Sequence, residues 1–136
     1  MTQMNAPERT LTLDGARING IADFYAEINR VFMAQEDWTL GPSLDALDDM
    51  LYGAYGAGQG NAPVRLRWLH AQHSRTALGV ATTRAHYLEK LARPETFNRR
   101  YWSDMLHALE VGHGPTYFEQ ICQVISSHPR FTLELA

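Results

Sequence analysis

Asp45, Asp48 and Asp49 lie close together in the segment Ser43-Leu-Asp-Ala-Leu-Asp-Asp-Met-Leu-Tyr-Gly53. A helix through this segment, turning by about 100° per residue, carries Leu44, Leu47 and Leu51 on one face and the three acids with Tyr52 on the opposite one. Ser43 stands where an N-cap hydroxyl closes the first turn, and Asp45 in that turn is favoured by the helix dipole. The pairs Asp45/Asp48 and Asp45/Asp49 are like charges, each opposing the helix by about 0.2–0.5 kcal/mol when nothing answers them. Such a face is either a solvated surface or a rigid anionic prong for a cationic pocket. A third use, as the general base or metal ligands of a small hydrolase, needs further donors.

Those donors are sparse. His70-x-x-His73 puts two imidazoles on one helical face, but neither an HExxH nor a CxxC pattern accompanies it, so no metal is expected. The glycines from Gly53 to Gly60 lack the Lys-Ser/Thr of a phosphate-binding loop and follow a helix rather than a strand, which predicts a flexible connector. No Gly-x-Ser-x-Gly elbow is present, and Cys122 sits among apolar helix positions as a buried, inert thiol. The residues therefore predict neither an enzyme nor a cofactor. Trp38, in the polar loop before Ser43, serves equally well as contact surface or as loop anchor. Arg93, Arg99 and Arg100 are expected to pair with the acidic first half of the chain rather than to touch RNA.

The charge pattern supports a local partner. The 136 residues hold 12 basic and 15 acidic side chains, a net charge of −3. Residues 1–60 contain three arginines against nine acids, whereas the remainder is net positive. This asymmetry argues for a localised partner or an internal salt-bridge seam and against general nucleic-acid binding. A chain of this length buries roughly 65–70% of its unfolded surface, so one domain, residues 1–136, holds a core without disulfides. The opening Met-Thr-Gln-Met-Asn-Ala-Pro-Glu8 lacks the basic end and apolar run of a signal peptide, and no stretch approaches the ~18 apolar residues of a membrane span. With its lone cysteine, the chain is expected to be cytoplasmic, with no membrane partner.

The elements that position these residues follow from periodicity. Thr10-Leu-Thr-Leu13 alternates before the turn dipeptide Asp14-Gly15. Ile21, Phe24, Tyr25, Ile28 and Phe32 form one stripe of a helix capped by Asn19 or Gly20. Val64-Arg-Leu-Arg-Trp68 alternates as a strand. Helical spacing returns from about 70 to 91, interrupted near Gly79, with Val80, Arg84, Tyr87, Leu88 and Leu91 on a common side, and Pro94 stops it. A short helix carries Trp102, Met105, Leu106 and Leu109, and another, opened by Pro115, carries Tyr117, Phe118, Ile121, Val124 and Ile125. Trp68, Trp102, Tyr117 and Phe118 are expected in the core. Phe131, Leu133 and Leu135 close the chain as a strand. Long helical connections between strands predict an α/β fold, a three-stranded parallel sheet packed by helices.

The segment Ser43-Leu-Asp-Ala-Leu-Asp-Asp-Met-Leu-Tyr-Gly53, with Gly41 before it, resembles the inhibitory helix of the barstar family of intracellular ribonuclease inhibitors. Leu13-Asp-Gly15, Asp23-Phe-Tyr25, Pro63-Val-Arg-Leu-Arg-Trp68, Gly114 and the closing strand are similar in the same order. The likeness covers residues 9–79 and 112–136, with 80–111 resembling an added helical insertion before the last helix. It implies a non-enzymatic inhibitor, or immunity protein, that blocks a cationic ribonuclease one to one. Asp49 matches the family's active-site-blocking carboxylate and Asp45 a second contact residue, with Asp48, Trp38, Gly41 and Ser43 completing the surface. Three positions depart from the pattern. Asp48 replaces an aromatic residue, Thr39-Leu40 replaces paired tyrosines, and the acid before the last helix aligns near Gly112, leaving Glu110 as its substitute. A rival expectation is an interaction module of the same fold with a non-nuclease regulatory partner.

Overall fold

The computed structural model describes residues 8–136; the opening residues, for which no leader is expected, lie largely outside them. Three strands, β1 (Arg9–Asp14), β2 (Val64–Leu69) and β3 (Phe131–Leu135), form one parallel sheet in the order β1-β2-β3. In this register Leu11 pairs with Leu66 and Leu13 with Trp68, while Leu66 pairs with Leu133. β2 is central, and its alternation puts Val64, Leu66 and Trp68 fully inside while Arg65 and Arg67 reach the rim. The expected α/β architecture is thus the observed one. Parallel pairing requires the long crossovers that the helices supply.

The first crossover contains α1 (Ile21–Phe32) and α2 (Leu44–Leu51); the second contains α3 (Ala71–Ala77), α4 (Val80–Ala92), α5 (Arg99–Glu110) and α6 (Tyr117–Ser126). α1 buries Phe24, Tyr25, Ile28 and Phe32, the stripe its spacing predicts. Gly20 is the N-cap, and the Asp23 carboxylate accepts the Asn19 amide at 3.0 Å, satisfying a donor at the helix entry. Glu27 is also buried on this helix, taking the Asp14 amide at 2.6 Å and the Arg30 guanidinium at 2.5 Å. α6 opens with a full capping box between Thr116 and Glu119. Phe24 stacks on Trp68 at 5.6 Å and Phe118 lies 4.9 Å from the same ring, so α1 and α6 pack on the sheet through one aromatic centre.

Two expectations change. Val80 and Leu88 are 56% and 40% exposed, so α4 does not bury the stripe that its apolar residues suggested. Of that stripe it buries Tyr87, and beside it Thr83, which the stripe did not include: the Thr83 hydroxyl accepts the Tyr117 amide at 2.8 Å, and the Tyr87 hydroxyl accepts from Gln120 at 2.8 Å. Polar contacts to α6 therefore select the face. Trp102 is half-buried against Tyr87 and Tyr101 rather than lodged in the central core, because α5 packs chiefly on α4.

The glycine connector is also built rather than loose. Gly56 donates to Glu36 at 2.9 Å, and Ala57 donates to the Phe32 carbonyl at 2.7 Å. Arg130 binds the carbonyls of Leu51, Gly58 and Ala62, and Arg9 those of Ala57 and Gln59. Gly53 has φ +95°, and a Cβ there would meet the Gly60 carbonyl oxygen at 2.5 Å, so only glycine fits this turn after α2.

Candidate functional site

The site is built on α2 and the loop that enters it. Ser43 caps the helix as expected, its Oγ accepting the Ala46 amide at 3.1 Å. Leu47, Met50 and Leu51 are buried, fixing the rotation of the helix, and Asp45 and Asp49 point to solvent. Among the described residues, neither carboxylate has a cationic partner within ion-pair distance. Two fixed, unanswered charges on a packed helix form an anionic ridge whose ordering cost is met during folding.

Asp48 differs from the expectation. It lies on the flank of the buried face rather than opposite it, and its Oδ1 is 2.7 Å from Nε2 of His128, whose side chain is only 7% exposed. The ring of Tyr52 meets His128 edge-on at 4.6 Å, although Tyr52 itself is exposed. Asp48 thereby ties α2 to the turn between α6 and β3.

The preceding loop is held by one side chain. Asn29 of α1 accepts the Leu40 amide at 2.7 Å and donates to the Leu40 carbonyl at 3.3 Å, and Leu40 is buried. Trp38 is 44% exposed and packs on Tyr55 with ring centroids 4.8 Å apart. It is therefore anchored and accessible at once. Burial and then the charge of Asp49 raise the Tyr55 hydroxyl above its ordinary pKa, which places this ring near the acidic ridge. Tyr55 is the residue that sequence reasoning missed; its signal was an aromatic within an otherwise small-residue connector. A Cβ at Gly41 would meet nothing within 4 Å, so the protein's own packing does not demand glycine there.

Glu110 belongs to another group. It ends α5 and meets Arg84 of α4 at 3.8 Å. The basic loop is likewise satisfied locally rather than by the acidic first half. Arg93 pairs with Glu89 at 2.5 Å, Arg99 donates to two backbone carbonyls, and Arg100 approaches Asp104 at 4.0 Å. No seam joins these cations to the acids of α2.

A cleft of about 400 Å³ separates the start of α2 from the α4–α5 pair. Asp45 stands on one wall, His86, Lys90, Tyr101 and Trp102 on the other, and Tyr117 at its base. Burial, aided by the Lys90 charge, holds His86 below the usual imidazole range, so it is mainly neutral at pH 7. Burial raises the Tyr25 hydroxyl, with Tyr117 and Asp45 adding to the effect; the two tyrosine hydroxyls lie 2.6 Å apart.

The remaining candidates resolve simply. His73 bonds to Asn19 at 2.8 Å, and among the described residues no group of three or more His, Cys, Asp or Glu is placed to hold a metal. Burial pushes the Cys122 thiol up to about 11, so it is protonated at neutral pH. Among the described residues no helix is long and apolar enough to cross a membrane.

The described residues form a small α/β fold, a three-stranded parallel sheet packed by six α-helices, with the exposed carboxylates of Asp45 and Asp49 on α2. The family model for barstar, the barnase inhibitor, matches residues 8–109, and the chain belongs to that family. The matched range includes α4 and nearly all of α5 and ends before α6 and β3, so its bounds do not set residues 80–111 apart. No curated protein matches the chain significantly.

Proposed function

We propose that this protein is a non-enzymatic inhibitor that binds a cationic ribonuclease one to one in the cytoplasm and blocks its active site with α2 and the loop before it. The observation that carries this reading is the pair of exposed carboxylates, Asp45 and Asp49, without an ion-pair partner among the described residues, on a capped and tightly packed helix. A ribonuclease cleft gathers Lys, Arg and His to bind phosphate and to stabilise charge in the transition state. A carboxylate delivered there accepts the same charge-assisted hydrogen bonds as a phosphate oxygen. Asp49 acts as the phosphate mimic and Asp45 as a second anchor. Asp48 aligns the helix through His128 and contributes charge from its half-exposed carboxylate. Trp38, seated on Tyr55, supplies an aromatic contact at the rim, and Gly41 leaves room for the partner to approach the loop backbone. Ser43 fixes the start of the helix. Glu110, paired with Arg84, is an outlying polar contact away from the central ridge. Complementary potentials speed the encounter, which matters where a nuclease must be silenced before RNA is cut.

The test is to titrate small basic ribonucleases, beginning with one encoded beside this gene, with wild type and Asp49→Ala. Removing one member of a desolvated charge pair costs about 2–5 kcal/mol, roughly 30-fold to several thousand-fold in inhibition. Equal inhibition by both proteins would refute the role of Asp49. Recovery of a non-nuclease partner bound through α2, with no nuclease inhibited, would favour an interaction module.

A further inference from the structure

We infer that Asn29 is a positioning residue of the partner-binding loop: its carboxamide holds residues 38–42 in the binding conformation before the partner arrives, and so governs how fast the complex forms. This inference rests on the proposed inhibitory role and extends the working part of the molecule from α2 to α1.

Residues 39–41 run between the two helices without a turn or bend. In an extended residue the N–H and C=O point to the same side, which is how neighbouring antiparallel strands exchange paired bonds. Asn29 meets Leu40 as such a strand would. Its Oδ1 accepts the Leu40 amide at 2.7 Å and its Nδ2 donates to the Leu40 carbonyl at 3.3 Å. Beyond these two bonds, the backbone of 37–42 makes, among the described residues, only the bond from the Ser43 amide to the Gly41 carbonyl at 3.0 Å. One side chain therefore sets the course of a segment whose other residues, Asp37, Trp38, Thr39, Gly41 and Pro42, are all exposed.

The carboxamide also decides where Leu40 sits. Leu40 belongs to the core and is 5% exposed, so its amide and carbonyl need partners within the protein. Without Asn29 both groups would be unpaired, and the loop would gain by turning outward, which hydrates them and withdraws Leu40. Trp38 lies two residues before Leu40 and Ser43 three after it. An outward turn would draw Trp38 off Tyr55 and disturb the entry to α2. A loop that samples both states binds only from the inward one, and the observed affinity falls with the fraction of molecules in that state.

Helix preference does not account for this asparagine. Asn29 stands inside α1, where asparagine is a poorer helix former than alanine. With Phe24, Tyr25, Ile28 and Phe32 buried, the helix cannot rotate to offer another side chain in its place. Asn29→Ala therefore favours α1 while it releases the loop, which separates a positioning role from a general loss of structure.

The experiment compares the full-length protein with Asn29→Ala, Asn29→Asp and Ile28→Val, the last trimming the core side of the same helix without touching the loop. Two quantities are measured: hydrogen exchange at the Leu40 amide, and the association and dissociation rates with a small basic ribonuclease that wild type inhibits. In Asn29→Ala the Leu40 amide is expected to exchange about tenfold faster, and association to slow about fivefold with dissociation nearly unchanged. Asn29→Asp keeps the acceptor and loses the donor, so it falls between wild type and Asn29→Ala. Ile28→Val leaves both quantities near wild type. Unchanged exchange in Asn29→Ala, or equal effects from Ile28→Val, overturns the assignment. Unchanged association with Asp49-dependent inhibition intact refutes the role of Asn29 alone. Exchange that depends on Asn29 in a protein that inhibits no ribonuclease refutes the inhibitory reading, and the loop's part in binding with it.

Discussion

The Asp48–His128 contact is predicted to hold α2 in place, and its strength can be worked out from the structure. The two atoms are 2.7 Å apart, with His128 nearly buried and Asp48 43% exposed. A hydrogen bond of this kind contributes about 1–1.5 kcal/mol net, solvent access on the Asp48 side keeping it at the ordinary level. Asp48→Ala also has opposing effects. It relieves repulsion from Asp45, about 0.2–0.5 kcal/mol, and improves helix propensity by about 0.6 kcal/mol. The net loss is then only about 0.3 kcal/mol, or roughly 1 °C in Tm for a domain of this size, so the single variant is a poor probe. A double-mutant cycle with His128→Phe cancels the repulsion and propensity effects and isolates the pair. Urea unfolding followed by tryptophan fluorescence should give a coupling of about 1 kcal/mol. A coupling indistinguishable from zero would show that Asp48 does not anchor α2, and that its carboxylate is simply another surface charge.

Three further outcomes follow from the geometry. Gly41→Ala should leave stability within about 0.5 kcal/mol of wild type, since a Cβ there meets open space, yet weaken inhibition; a large drop in Tm would show that the fold itself needs this glycine. Burial opposes the charge on Glu27, but the Arg30 hydrogen bond, the Asp14 amide and the charges of Arg30 and Arg17 outweigh it and lower its pKa. A carboxyl lowered on folding stabilises above its unfolded value of about 4.3 and loses that contribution as pH falls through the folded value. Glu27→Gln should therefore cost about 1–3 kcal/mol at pH 7, with the gap to wild type narrowing in urea unfolding at pH 3; a gap that stays constant contradicts this sign. With its thiol raised by burial from 9.0 to about 11, Cys122 should react with iodoacetamide about 100-fold more slowly at pH 7.5 than an unperturbed cysteine and accelerate about tenfold per pH unit toward 11. A rate matching free cysteine would mean that the thiol is not buried in solution.

Much of this fold was legible because its signals are local. The alternation in β2, the stripe of α1 and the Ser43 cap each depend on neighbours within a few residues, and all three appear in the structure. Long-range polar partners were not legible. Asp48 turns toward His128, 80 residues away, and no helical wheel contains that partner. α4 exposes Val80 and Leu88 because Thr83 and Tyr87 meet groups on α6. The connector looked loose because glycine content reports conformational freedom but not the guanidinium groups of Arg9 and Arg130 that bind its carbonyls. Within the connector so fixed, Tyr55 packs against Trp38, and so a segment expected to be a linker carries part of the candidate site. Buried Glu27 had one local clue, Arg30 three residues on.

The central claim is that α2 occupies the phosphate-binding site of a ribonuclease, and competition tests it most directly. With a small basic ribonuclease that the protein inhibits, the apparent inhibition constant should be measured as the RNA substrate concentration rises. Occupation of the active site predicts a linear increase, with a line of the same form but a far weaker constant for Asp49→Ala. An inhibition constant that does not change with substrate would place the protein elsewhere on the nuclease and contradict the account.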